Sequence, residues 1–204
     1  MIGCYVVCEG QTEARFVKEV LTDNFIPILQ DGHDFHRLKK LVRGLLRTPR
    51  KLVTTMIDLH AIASDFPRRE ELLNKDPYLR VRGMELAMAE AVGDDRFLPH
   101  LQLHDFEALV LSDPTCLERL FPHRRAEIAR LAKSIRDFDS PEKIDKGHPP
   151  AHRIREQVAE YNKSAYGFRL VQDIGLSTIR DKCPHFNKWL DEVKIRLAGE
   201  ETDG

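Results

Sequence analysis

The sequence predicts an α/β protein in which a mainly parallel, Rossmann-like sheet of about four strands is flanked by helices and followed by a helical C-terminal region. Three observations lead there. Apolar runs rich in Val and Ile, at 2–8, 25–30, 51–57 and 97–103, alternate with stretches of helical periodicity, the signature of βαβ units and right-handed crossovers. Beyond residue 110 the alternation gives way to helical stripes punctuated by Pro114, Pro122, Pro141, Pro149, Pro150 and Pro184. The composition, 42% hydrophobic and 32% charged over 204 residues, is that of a folded chain with a sizeable core. The expected division is an α/β core at 1–110, a helical region packed on it at 111–198 and a disordered tail at 199–204.

Taken in order, the run from Ile2 to Cys8 is nearly continuous in apolar residues, as a strand covered on both faces requires. It stops at Glu9-Gly10. A helix follows, with Thr12 as its cap and Phe16, Val17, Val20 and Leu21 as its apolar stripe. Phe25 to Gln30 reads as a short strand that Pro27 confines to a sheet edge. From Asp34 to about Arg47, Leu38, Leu41, Val42, Leu45 and Leu46 keep helical spacing, while Arg37, Lys40, Arg43 and Arg47 share the other side. Lys51 to Ile57 is a β-branched strand running into Asp58, and 60–76 is polar loop. A helix at about 77–91 opens on Pro77 and has Val81, Met84, Leu86 and Met88 among its apolar positions; Phe97 to Leu103 is the fourth strand.

Charge and cysteine content exclude several classes. Lys and Arg number 32 against 33 Asp and Glu, a net charge of −1, so no global field draws the chain to polyanions. No apolar stretch reaches the length of a membrane span. Met1 leads straight into the first strand without a basic segment or cleavage site, so a secretory leader is not expected and the expected compartment is the cytoplasm. Cys4, Cys8, Cys116 and Cys183 form no metal-binding or redox pair; reduced thiols are expected, with Cys4 and Cys8 on one strand face as small apolar groups. The Gly-rich phosphate loop, the serine elbow and the His-Glu-x-x-His helix are all absent from the sequence.

In an open parallel sheet the loops at the carboxyl ends of the strands converge on a ligand. Three of those ends carry acids here: Glu9 after the first strand, Asp58 after the third, and Asp105 with Glu107 after the fourth. Clustered carboxylates raise one another's pKa unless a cation neutralises them, and oxygen donors of this kind suit Mg²⁺ or Mn²⁺. Gly10 allows the sharp strand-to-helix turn, and the helix N-terminus behind it attracts anions. Glu13 is either a first-turn acid that complements the helix dipole or part of the site. Between Phe35 and Ile57 there are seven Lys or Arg and no acid, a local basic face that either tracks phosphates or is simply solvated. A second basic helix runs through Arg124, Arg125, Arg130, Lys133 and Arg136.

The apolar strand ending in Glu9-Gly10-Gln11-Thr12-Glu13, the strand ending in Asp58, and His104-Asp105-Phe106-Glu107 together resemble the Toprim fold of topoisomerases, primases and nucleases of the overcoming-lysogenization-defect type. Thr54–Asp58, Asp65–Pro67, Leu103–Leu109, Ser140–Ile144 and Cys183–Leu190 are similar to segments of a numbered prokaryotic family of unknown function related to Toprim. The resemblance implies a Toprim-like fold over most of the chain. It also implies that Glu9 is a general acid or base or a metal ligand, that Asp58 is the first acid of an Asp-x-Asp pair, and that Glu107 completes the metal set with His104 and Asp105 in support. The second acid of the pair is replaced by His60, either a substitute ligand or a bystander.

The function expected on these grounds is metal-dependent phosphodiester hydrolysis by Glu9, Asp58 and Glu107, with Glu13 orienting water and Arg37, Lys40, Arg43 and Arg47 holding nucleic acid. DNA is the expected substrate, and the resemblance implies an ATPase partner and a role in prokaryotic defence. A non-catalytic Toprim-like binding subunit, motivated by the missing second acid, and a small-molecule phosphohydrolase are the alternatives.

Overall fold

The computed structural model describes residues 3–21, 24–144 and 147–202; Ile2 and the last two residues of the expected tail lie outside them. The chain divides into two compact units, one formed by 1–102 with 188–204, the other by 103–187. The first unit holds an all-parallel, five-stranded sheet with helices, an α/β Rossmann-like arrangement.

Strand β1 (Gly3–Cys8) lies between β2 (Phe25–Leu29) and β3 (Lys51–Asp58), and β3 pairs in turn with β4 (Phe97–Leu98) and β5 (Leu101–Gln102). β2 is an edge strand, as Pro27 requires, since its ring nitrogen has no proton to donate to a further neighbour. β1 and β3 are buried almost throughout, which explains their unbroken apolar sequences. The fourth predicted strand is two short ones. Pro99 interrupts the run, and the ladder resumes only where Ile57 and Asp58 meet Leu101 and Gln102. Thr55 bridges the break: its Oγ1 donates to the His100 carbonyl at 2.7 Å and accepts the His100 amide at 2.8 Å.

Helix α1 (Gln11–Phe16) starts two residues earlier than expected, with Gly10 as its cap and Thr12 inside it, and continues as a π-helical turn from Val17 to Leu21. α2 (Phe35–Leu45) is capped by Asp34, whose carboxylate accepts the Arg37 amide at 2.9 Å. Asp65 adds to this cap by accepting the Phe35 and His36 amides at 3.0 and 3.1 Å, while the Phe35 and Phe66 rings meet 5.4 Å apart. α3 (Pro77–Val92) has Asp76 as its cap and Gly93, at φ +72°, as its left-handed exit. Val81, Met84 and Met88 are buried along it; Leu86 is 58% exposed, because it lies off that face. Arginines close the carbonyl ends of both helices: Arg96 donates to Leu46 and Thr48 at the end of α2, and Arg43 to Ala91 and Val92 at the end of α3.

The second unit is helical: α4 (Glu107–Val110), α5 (Leu117–Leu120), α6 (Arg125–Ser134), α7 (Pro150–Gln157), α8 (Phe168–Ile174), α9 (Leu176–Lys182) and the first turn of α10 (Pro184–Thr202). Its core includes Phe106, Leu109, Ile128, Ile154, Leu170 and Phe186. α10 runs to Thr202, so the helix extends past 198, where the tail was expected to begin. The remainder of α10 belongs to the first unit, where the Trp189 ring stacks on His100 with centroids 4.5 Å apart and its Nε1 donates to Thr54 Oγ1 at 2.8 Å. Among the described residues no helix is long and apolar enough to cross a membrane.

Candidate functional site

The sheet order, with β2 on one side of β1 and β3 on the other, makes the β1–β3 boundary the point where chain connections leave in opposite directions. In such sheets the crevice outside the carboxyl ends of these two strands is where ligands bind. Glu9 and Asp58 stand at those two ends. The Asp58 amide donates to Glu9 Oε2 at 2.9 Å, and the Glu9 amide donates to the Met56 carbonyl at 3.2 Å, so both acids are tied to the sheet by backbone. Asp58 is buried and Glu9 half-buried.

Glu13, one turn into α1, is buried at the same edge. A Cβ added at Gly10 would come within 3.2 Å of Glu13 Oε2, so the glycine makes room for this carboxylate. His60 is exposed in the turn after β3.

Gln102 is the residue that sequence reasoning missed. It is the register partner of Asp58 in the β3–β5 pair, it is wholly buried, and neither Oε1 nor Nε2 has a hydrogen-bond partner. The signal was present: a lone amide between Leu101 and Leu103, at a strand end next to the acidic motif. A buried amide left unsatisfied costs free energy on the order of 1–3 kcal/mol, so its place beside Asp58 points to a ligand. Carboxylate and amide oxygens together form an oxygen-donor set that fits a hard divalent cation.

The second unit gathers its own acids. His104 holds a left-handed backbone at φ +66°, uncommon for a residue with a Cβ, where the chain turns into Asp105. Asp105 Oδ2 accepts the Ala151 amide at 3.2 Å, while Oδ1 is buried with no partner. Burial above all, then the Glu107 charge, pushes the Asp105 carboxyl up to about 7. Burial also raises Glu107, opposed by the Lys163 and Arg155 charges and by the Tyr161 hydroxyl, which donates to Glu107 Oε1 at 3.2 Å. The Lys163 ammonium lies over the Phe106 ring, 5.5 Å from its centroid.

The predicted basic face separates along α2. Because parallel strands require the intervening helix to return the chain, the start of α2 lies at the carboxyl edge of the sheet and its end at the amino edge. Arg37 is therefore on the side of Glu9 and Asp58, paired with Asp34 at 3.2 Å, and Lys40 is exposed further along. Arg43 and Arg47 line a cleft with Leu46, Val92, Gly93 and Asp94 at the far end. In the second basic stretch Arg124, Arg125 and Arg130 pair with Glu160, Glu118 and Glu127.

The thiols offer no nucleophile. All four cysteines are free and buried; burial raises Cys4 to about 12 and Cys116 to about 11, and holds Cys8 and Cys183 well above the usual thiol range.

The family whose pattern matches residues 8–194 is DUF4276, described as a domain of unknown function, and the chain belongs to it. No curated protein and no solved structure matches.

Proposed function

We propose that the protein is a metal-dependent phosphodiester hydrolase, a DNA nuclease acting in prokaryotic defence with an ATPase partner. The observation that carries the reading is the pairing of Glu9 with Asp58 at the carboxyl ends of β1 and β3, the ligand-binding boundary of this kind of sheet. Glu9 and Asp58 would hold Mg²⁺ or Mn²⁺, with the amide of Gln102, the register partner of Asp58, as a further oxygen donor. A cation so held lowers the pKa of its water and neutralises charge developing on a phosphate. Glu13 would orient the attacking water. Arg37 and Lys40, toward the acidic end of α2, would contact phosphates. DNA as substrate, the ATPase partner and the defence role rest on the resemblance to nucleases of the overcoming-lysogenization-defect type.

The test is cleavage of plasmid and single-stranded DNA with Mg²⁺ and then Mn²⁺ by the full chain, by Glu9→Ala and by Asp58→Ala, each checked for unchanged folding by circular dichroism. Cleavage by the native chain that both variants lose is the expected result; cleavage that survives in both overturns it. A second reading, a non-catalytic binding subunit, is supported by the exposed His60 where an Asp-x-Asp pair would have its second acid. Calorimetric titration separates them: no heat at millimolar Mg²⁺ or Mn²⁺ removes the hydrolase and leaves the subunit.

A further inference from the structure

We propose that His148, His152 and Glu156, on the surface of the second unit, form a site for Zn²⁺ or a similar borderline transition-metal ion. The donor atoms already converge. His148 Nδ1 lies 3.3 Å and His152 Nε2 3.2 Å from the same carboxylate oxygen, Glu156 Oε1, and all three atoms fall within 4.8 Å of one another. A tetrahedral Zn²⁺ with ligands at about 2.0–2.1 Å sets neighbouring donors about 3.3 Å apart. Both edges that involve the carboxylate have that length.

The local chain holds the three side chains ready. His152 and Glu156 are four apart on α7 and share one face. His148 precedes the helix, and Pro149 and Pro150, with their fixed φ, bring it alongside so that its ring centroid is 4.9 Å from that of His152. The His148 carbonyl accepts Arg153 Nε at 2.8 Å, and that guanidinium rests over the Phe138 ring at 5.3 Å. The backbone at His148 is thus fastened independently of any metal.

Simple ion pairing explains the arrangement poorly. Two imidazolium rings sharing one carboxylate oxygen would repel each other, whereas one divalent cation satisfies two neutral imidazoles and the carboxylate together. Two nitrogens and an oxygen, with a coordination position left to solvent, select Zn²⁺, Co²⁺ or Ni²⁺ over Mg²⁺. The donor chemistry therefore differs from that of the all-oxygen set around Glu9 and Asp58. Ala151, between Pro150 and His152, is the residue whose amide holds Asp105, so an ion clamped on this turn also steadies that carboxylate.

The experiment is calorimetric titration of the chelator-stripped full chain with ZnCl₂, alongside His152→Ala, Glu156→Gln and the Glu9→Ala/Asp58→Ala double variant. His152 and Glu156 are exposed, so these two changes leave the fold intact, which circular dichroism verifies. Expected is saturable binding that the double variant keeps, that excess Mg²⁺ does not displace, and that His152→Ala and Glu156→Gln each weaken at least about tenfold. Loading with Co²⁺ should give visible bands of four-coordinate intensity, lost in His152→Ala. No saturable Zn²⁺ binding, binding unchanged in His152→Ala, or binding lost in the Glu9/Asp58 variant would each overturn the proposal.

Discussion

Glu142, wholly buried, accepts the Phe186 amide at 3.0 Å, and the His185 amide at 2.8 Å on its other oxygen. It is an N-terminal cap for α10 delivered from more than forty residues earlier in the chain. Ser140 strengthens the join by donating to the Lys182 carbonyl at 2.9 Å. Glu142→Ala leaves two buried amides unpaired and should destabilise the protein by about 2–4 kcal/mol, whereas Ser140→Ala should cost about 1 kcal/mol. Urea denaturation of the two variants measures both.

Asp105 makes stability depend on pH in an unusual direction for an acid. Its folded pKa is raised to about 7, above the usual carboxylate value, so the folded state binds this proton more tightly than the unfolded chain does. The stabilising contribution is complete below about pH 4 and is lost as pH rises to about 7. Asp105→Asn removes the ionisation. It should flatten this part of the profile and gain on the native protein by roughly 1–3 kcal/mol at pH 8 relative to pH 4, read by urea denaturation across the range.

Tyr161→Phe deletes the hydroxyl that donates to Glu107 in a buried setting. Glu107 is then left with less support for its charge, and its already raised pKa should rise further. The loss should be about 1–3 kcal/mol at pH 8 and smaller at pH 4, where a protonated Glu107 no longer needs the donor. Equal losses at both pH values would show that the hydroxyl does not serve the carboxylate.

Arg96 and Lys40 should respond in opposite ways. Arg96 holds the end of α2 through two carbonyls and pairs with Asp94 at 2.8 Å, so Arg96→Ala should lower stability by about 1–3 kcal/mol. Lys40→Glu, on an exposed site, should leave the melting temperature almost unchanged. It should weaken DNA binding and reduce the salt slope by about 1, measured by fluorescence anisotropy at several salt concentrations.

The parts of the fold that were readable from sequence are those where local chemistry and burial agree. Strands β1 and β3 announce themselves by unbroken apolar runs, β2 by Pro27 at an edge, and α2 and α3 by Asp34 and Pro77 at their starts. Where a single residue overrides a pattern, hydropathy misleads: Pro99 divides a strand that hydropathy alone joins. Of the candidate site, the acids at the strand ends were legible. Its Gln102 was not, because a neutral amide in an apolar run carries no charge signal, and only the β3–β5 register brings it beside Asp58. Long-range caps were equally hidden. Asp65, Glu142 and Ser140 sit in segments that stand out as motifs, yet they hydrogen-bond backbone amides and a carbonyl at helix ends. No spacing rule connects a carboxylate to an amide thirty or forty residues away.

The position of Trp189 sets an order of assembly. The indole that stacks on His100 and binds Thr54 is encoded almost ninety residues after His100, with the whole helical unit between them. A ribosome therefore delivers every strand of the sheet, then all of the second unit, before the chain segment that covers His100 and Thr54 emerges. A nascent chain stopped at Gln102 has all five strands but lacks its closing aromatic, so the isolated sheet should be held by chaperones or degraded rather than accumulate as a folded fragment.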